Sequence, residues 1–392
     1  MEKQLQKEKI WTKDFALICL ANFFIFLGFQ MTLPTIPLFV EDLGGNDQLI
    51  GFVVGIFTFS ALLLRPYAGA ALETKGRGFV YLIGLAIFVL SVGSFGFLTS
   101  IILLFMMRVV QGAGWGFSTT ASGTIASDLI PVTRRGEGMG YYGLSGNLAL
   151  AFGPSLGLIL TGVISFKSFF LICAGLGLIA LMLSSRITYK KIERKQDKEK
   201  TKISIYEKGA LKPSLLMFFI TFTFGGIAAF LPLYTAARHI SGIQLYFLLY
   251  ALALMITRTF AGQVYDKKGH KAVFIPGTLL ILIAMILLAW LPNSLVLYVA
   301  AILYGLGFGS VQPALQAWSI EKVPINRRGM ATATFYSFFD LGVGLGAMVF
   351  GQISHLLGYS SIYRTSAVSI VLSMLLYFFF LYRGRLSVLQ NG

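Results

Sequence analysis

Of the sixteen carboxylates in this 392-residue chain, one stands apart: Asp340 falls about eleven residues inside an apolar run at 329–356. Desolvation penalises the charged form of a carboxyl group at such a depth. That makes Asp340 the residue best suited to take up and release a proton, or to hold a cation. Arg108 is the second such residue, about seven positions from the end of the run 101–128 and hence ~10 Å deep by helical rise. An arginine there either contacts a carboxylate or a bound molecule in a wet cavity, or snorkels to the interface. Asn22, Gln30, Tyr142, Asn147, Thr223, Gln312 and Tyr336 are further polar positions in apolar runs, and with Asp340 they are the candidate lining of a cavity. No nucleophile–base pair, phosphate-binding loop or metal-ligand spacing accompanies them, so no enzymatic role, cofactor or metal is expected. Cys19 and Cys173 lie singly in different apolar runs and read as packing residues.

The elements that must position these residues are long and apolar. The chain is 56% hydrophobic and only 12% charged, with a mean hydropathy of +0.77. Soluble domains carry roughly twice that charge. A helix of about 20 residues crosses a ~30 Å hydrocarbon layer. The sequence predicts such helices at 14–40, 48–72, 78–98, 101–128, 137–163 and 166–186, then at 213–236, 241–265, 272–292, 294–320, 329–356 and 361–382. The N-terminal run is longer than the apolar core of a signal peptide and is expected to remain as the first span.

The net charge of +16 is a topology signal, not a nucleic-acid footprint. Four basic residues lie in the N-terminal tail, and ten lie between Arg186 and Lys212. Others follow every second span, at Lys75 and Arg77, Arg134 and Arg135, Lys267, Lys268 and Lys271, Lys322, Arg327 and Arg328, and the C-terminal tail. The opposite face has only Lys167, Arg238 and Arg364. By the positive-inside rule both termini are expected in the cytoplasm, with the lipid bilayer as the surrounding partner and no nucleic acid bound.

The polar stretch 187–212 divides the spans six and six, giving expected domains 1–186 and 213–392 joined by a cytoplasmic linker with a short surface helix. The halves are copies. Arg65, Gly69, Glu73, Gly76 and Arg77 recur 193 positions later as Arg258, Gly262, Asp266, Gly269 and His270. The same offset carries Gly112, Gly114 and Gly116 onto Gly305, Gly307 and Gly309, and Pro131, Arg134, Arg135 and Gly136 onto Pro324, Arg327, Arg328 and Gly329. An even number of spans per copy gives both the same orientation, related by an axis along the membrane normal. Asn147 is the counterpart of Asp340, so both are expected to face a central cavity.

These motifs resemble the major facilitator superfamily, and within it the twelve-helix drug/proton antiporter group. The loop RPYAGAALETKGRG resembles the signature loop between helices 2 and 3. Gly69, Gly76 and Arg77 are in place, while Glu73 stands for the usual aspartate and Gly78 for the last basic residue. Arg108 with Gly112, Gly114 and Gly116 resembles the helix 4 motif. Gly143, Gly146, Gly153, Pro154 and Gly157 resemble the helix 5 motif of antiporters, with Leu158 where a glycine is common.

The resemblance implies an all-α polytopic membrane protein, twelve transmembrane helices in two pseudo-symmetric six-helix bundles. It implies that Glu73 and Asp266 latch the inner face near Gly329 and Gly136, that Gly69 permits close helix approach, and that the helix 5 glycines pack on helix 8. The expected function is secondary active transport across the plasma membrane by a monomer. Proton-coupled efflux of small organic or drug-like molecules is the leading form, with Asp340 and Arg108 in proton coupling. Uptake of a sugar or other metabolite by a symporter or facilitator is the alternative, because fold does not settle direction. Helix 1 lacks the mid-span acid of some drug exporters, having Asn22, Gln30 and Thr32 as its polar positions.

Overall fold

A computed structural model describes residues 9–131, 134–189, 206–321, 323–324 and 328–390. Within helices, the side chains of Glu73, Arg135, Gly136, Glu137, Thr259, Gln263, Asp266, Arg328, Gly329 and residues 384–390 lie outside the description. Twelve helices among the described residues are long and apolar enough to cross a membrane. They are α1 (Lys13–Asp42), α2 (Asp47–Thr74), α3 (Arg77–Phe95), α4 (Ile101–Leu129), α5 (Arg135–Thr161) and α6 (Phe166–Ser184). A single 3₁₀ turn, Lys208–Ala210, leads into α7 (Leu211–Ala237), α8 (Ile243–Lys268), α9 (Lys271–Trp290), α10 (Ser294–Glu321), α11 (Arg328–Leu357) and α12 (Tyr359–Gln390).

Each expected span coincides with one helix. The helices stop where local chemistry dictates. Ser100 and Ser165 open α4 and α6, their hydroxyls accepting from the backbone N–H of Ile102 and Ser168 at 3.3 Å. Gly76 and Gly269, one offset apart, have φ of +102° and +72° and turn the chain sharply after α2 and α8. The surface helix expected in the linker falls on residues 190–205, outside the described residues.

By contact the chain divides into two compact units, one of residues 1–32 and 60–197, the other of residues 33–59 and 198–392. In the first, α3 packs on α4 and α6. In the second, α10 packs on α8 and α9, α11 on α7, and α12 on α7 and α9. The second unit also takes the last turns of α1 and the first of α2. Its reason is visible on α11: a Cβ placed on Gly51 would lie 2.6 Å from the carbonyl of Ala347, and one on Gly351 2.5 Å from that of Asp47.

The duplication is written in the packing. Gly114 sits against Gly84 and Phe88 of α3, and Gly307 sits against Gly277 and Ile281 of α9. Gly116 sits against Ala61 of α2, and Gly309 against Leu254 of α8. Every partner is shifted by the same 193 residues that relate the glycines. Helices that gain nothing from hydrophobic burial in lipid associate through close backbone contact at small residues.

Gly69, expected to permit a close helix approach, and its counterpart Gly262 stand differently. A Cβ on either meets nothing among the described atoms within 4 Å, so neither marks a close helix approach in this structure. Valine at Gly114 or Gly307 should therefore cost about 1–3 kcal/mol or more through overpacking. Alanine at Gly69 or Gly262 should change stability by no more than about 1 kcal/mol. Thermal unfolding of the four variants in detergent checks this, and equal melting temperatures across them would refute it.

Candidate functional site

The first unit gathers its polar side chains on the inner faces of α1, α4 and α5. Arg108 and Gln111 are three residues apart on one face of α4, and the guanidinium donates to Gln111 Oε1 at 2.6 Å. Both are fully buried. The other end of this amide, Gln111 Nε2, finds no partner among the described residues, nor does Oε1 of buried Gln30 on α1. One turn on, the Trp115 ring stacks on Phe29 at 4.0 Å between centroids, with Phe26 and Phe88 at 4.8 and 5.4 Å. Nearby, Asn22 is a hub: it donates to Ser145 Oγ at 2.8 Å and accepts from Tyr142 OH at 2.9 Å. Tyr142 is also bonded to Ser122 at 2.6 Å. The tie joins α1, α4 and α5. Asn147, on the same helix as Tyr142, is half-buried.

In the second unit a hydrogen-bonded chain crosses α8, α10 and α11. Arg258 Nη2 donates to Gln312 Oε1 at 2.5 Å, Gln312 Nε2 to Gln316 Oε1 at 3.3 Å, and Tyr336 OH to the same oxygen at 3.4 Å. Asp340 lies one helical turn beyond Tyr336 and is half-buried, as its counterpart Asn147 is. Arg258, grouped with the gating loop on sequence grounds, is thus bonded inside the helix array. Its counterpart Arg65 likewise has a buried Nε. Thr223, a candidate lining residue, is fully buried and pairs with Tyr304 OH at 3.0 Å, tying α7 to α10.

At the loops, the acids Glu73 and Asp266 and the positions Gly136 and Gly329 lie outside the described side chains. The described charge pairing is a different one. Arg77 Nε meets Asp128 Oδ2 at 2.5 Å, joining the start of α3 to the end of α4. Tyr189 walls the same cavity of about 270 Å³ and donates to the carbonyl of Ser184. Burial pushes its phenol up from the ordinary value, so it stays a neutral donor. The copy has diverged: His270 stacks on Trp318 at 4.3 Å and meets Tyr377 OH at 2.9 Å, while Glu321 accepts from Tyr265 at 2.8 Å.

Within the first unit, two glycines of the helix 5 motif pack against α1. A Cβ on Gly153 would lie 2.5 Å from Gln30 Cβ, and one on Gly157 2.3 Å from the carbonyl of Met31. Gly146 faces Asn22, and Gly143 is open. The backbone that Gly153 and Gly157 accommodate is that of α1. The helix runs through Pro154 to Thr161 without interruption.

Within the second unit, α2 and α11 form a clasp that sequence reading missed. Thr58 and Met348 crowd Gly344 and Gly55, Gln48 Nε2 donates to Gln352 Oε1 at 2.9 Å, and Tyr359 OH donates to Asp47 Oδ1 at 2.9 Å. Gln111, Gln316 and Tyr304 were also missed. Gln111 and Tyr304 are offset partners, and comparing the copies position by position would have found them.

Twelve apolar helices in two copies, with charged and amide side chains held in their interior, define a multi-pass membrane transporter. The chain belongs to the Major Facilitator Superfamily, whose sequence model matches residues 18–324 and 214–389. It is therefore a carrier and not an enzyme. It is 26% identical over 357 residues to the staphylopine export protein of Staphylococcus aureus, covering 88% of this chain and 90% of that one. It is 24% identical over 387 residues to multidrug resistance protein 2 of Bacillus subtilis, covering 91% and 92%. Among solved structures, a D-xylose–proton symporter superposes with a TM-score of 0.77 at 15% identity, covering 93% of this chain and 97% of that one.

The Arg77–Asp128 pair is about three-quarters buried on both sides, so its partners should couple. A double-mutant cycle with Arg77→Ala and Asp128→Ala is expected to give an interaction energy of about 1 kcal/mol in thermal unfolding. Additive effects would show that the pair contributes nothing.

Proposed function

We propose that this protein is a proton-coupled efflux permease of the cell membrane, an antiporter that exchanges protons for small organic molecules by alternating access. The observation that carries the reading is Asp340: the one carboxylate at mid-span depth, half-buried on α11, a turn from the Arg258–Gln312–Gln316–Tyr336 chain. An acid there can exchange its proton as its surroundings open to one side and then the other. Arg108 with Gln111, Asn22, Gln30, Tyr142 and Asn147 in the first unit, and Gln312 and Tyr336 in the second, are each proposed as hydrogen-bonding groups for a transported molecule. The Trp115 cluster supplies an apolar aromatic surface. The protein is proposed to work as a monomer with both termini in the cytoplasm.

Export is favoured by the Gly-Pro pattern of α5 and by relatives named for export or drug resistance. The clasp of α2 on α11 is proposed to open and close during the cycle, as are the loops carrying Glu73 and Asp266. The experiment is transport in proteoliposomes with an imposed pH gradient and a panel of organic substrates. Proton movement opposite to substrate is expected, and co-movement would replace antiport by symport. Asp340→Asn should abolish coupling, a loss of at least about tenfold in gradient-driven flux, with unchanged membrane insertion. Undiminished coupling in that variant would remove Asp340 from the mechanism.

A further inference from the structure

The basic residues of this chain crowd one membrane face, and the other face has only Lys167, Arg238 and Arg364. Two of those three converge. Arg238, just beyond the end of α7, and Arg364, in the second turn of α12, line one cavity of about 340 Å³ with Ile286, Ala289, Trp290, Pro292 and Ser360. Two guanidinium groups in one cavity repel unless something negative lies between them. Neither makes an ion pair among the described residues; Arg238 instead rests on the Tyr234 ring at 5.4 Å. The N-terminus of α12 opens at the same place, beginning at Tyr359 after Gly358, and adds the positive end of a 32-residue helix. Ser360 donates there to the carbonyl of Ala289 at 2.7 Å, so its proton is engaged and the positive groups lining the cavity are the two arginines.

What lies below the cavity identifies the occupant. Leu279, Ile283, Ile286 and Trp290 are exposed along one face of α9, and Val368, Leu372 and Leu375 are exposed along α12. These apolar stripes fit lipid tails. Trp290, 68% exposed, stands at their end, where amphipathic rings take the level of the headgroups. A cationic cavity at the head of two lipid-facing stripes matches one molecule in both its parts: an anionic headgroup above, and acyl chains along Ile286 below.

We propose that Arg238, Arg364 and the N-terminus of α12 form a binding site for the phosphodiester of an anionic phospholipid in the leaflet opposite the end of α8 at Lys267 and Lys268. The site stands apart from the transport reading and does not depend on it.

Native mass spectrometry of the purified full-length protein tests this, with phosphatidylglycerol, phosphatidylcholine and inorganic phosphate added separately. Phosphatidylglycerol is expected to bind in preference to phosphatidylcholine and to raise the melting temperature. Each basic side chain near a membrane surface contributes about 1 kcal/mol toward anionic lipid. Arg238→Ala and Arg364→Ala should therefore each weaken the preference about fivefold, and the double variant about thirtyfold. The lysine pair Arg238→Lys and Arg364→Lys should keep most of it, which separates charge from folding damage. Equal preference in the wild type and the double alanine variant would overturn the proposal. So would inorganic phosphate binding at the arginines in place of the lipid, since the source would then be a free anion.

Discussion

Inside hydrocarbon no water is present to satisfy a backbone amide, so every N–H and C=O must find its partner within the chain. That constraint makes this protein twelve helices and leaves the backbone almost nothing to offer a passenger. Recognition then falls to side chains, and the side chains that can recognise anything are the ones lipid excludes. Arg108, Gln111, Asn22, Arg258, Gln312 and Asp340 consequently turn inward. The outward faces of α9 and α12 carry leucine, isoleucine and valine. Cohesion must also come from something other than hydrophobic burial, and it comes from glycine. The paired approaches at Gly84–Gly114 and Gly277–Gly307 bring backbones into contact, where dispersion gains across the interface accumulate.

The two copies share this skeleton and differ in chemistry. The contacts of Gly114 and Gly116 are reproduced by Gly307 and Gly309 with every partner shifted equally. Against that constancy, Arg108 corresponds to Ala301, Gln111 to Tyr304, Gln30 to Thr223 and Asn147 to Asp340. The Thr223–Tyr304 bond closes the second unit at the position where the first leaves an amide nitrogen on Gln111 and an amide oxygen on Gln30 without partners among the described residues. Desolvating such groups unpaired is costly. Polar atoms kept at that cost are where a bound molecule or water has hydrogen bonds to gain.

Much of this was legible in the residues themselves. Span length follows from bilayer thickness, so all twelve helices fall within a few residues of their expected limits, apart from the extension of α12 to Gln390. The offset of 193 was readable because glycines and loop charges tolerate little change. Partner choice was not readable. Gly153 and Gly157 announce a close approach, yet nothing in their spacing names α1 as the helix approached. Gly69 carries the same letter and meets nothing among the described atoms within 4 Å. The Arg77–Asp128 pair was hidden for a similar reason: its members lie 51 positions apart, and only the fold brings the end of α4 to the start of α3.

The divergence of the copies also bears on coupling. Arg108 and Asp340 each stand in a different copy opposite an uncharged counterpart, Ala301 and Asn147. In the proposed cycle, protonating Asp340 changes the interior charge by one unit while Arg108 stays as it is. Charge buried in low dielectric is expensive unless compensated. A one-unit change is therefore enough to alter which arrangement of the helices is preferred, provided the two arrangements solvate Asp340 differently.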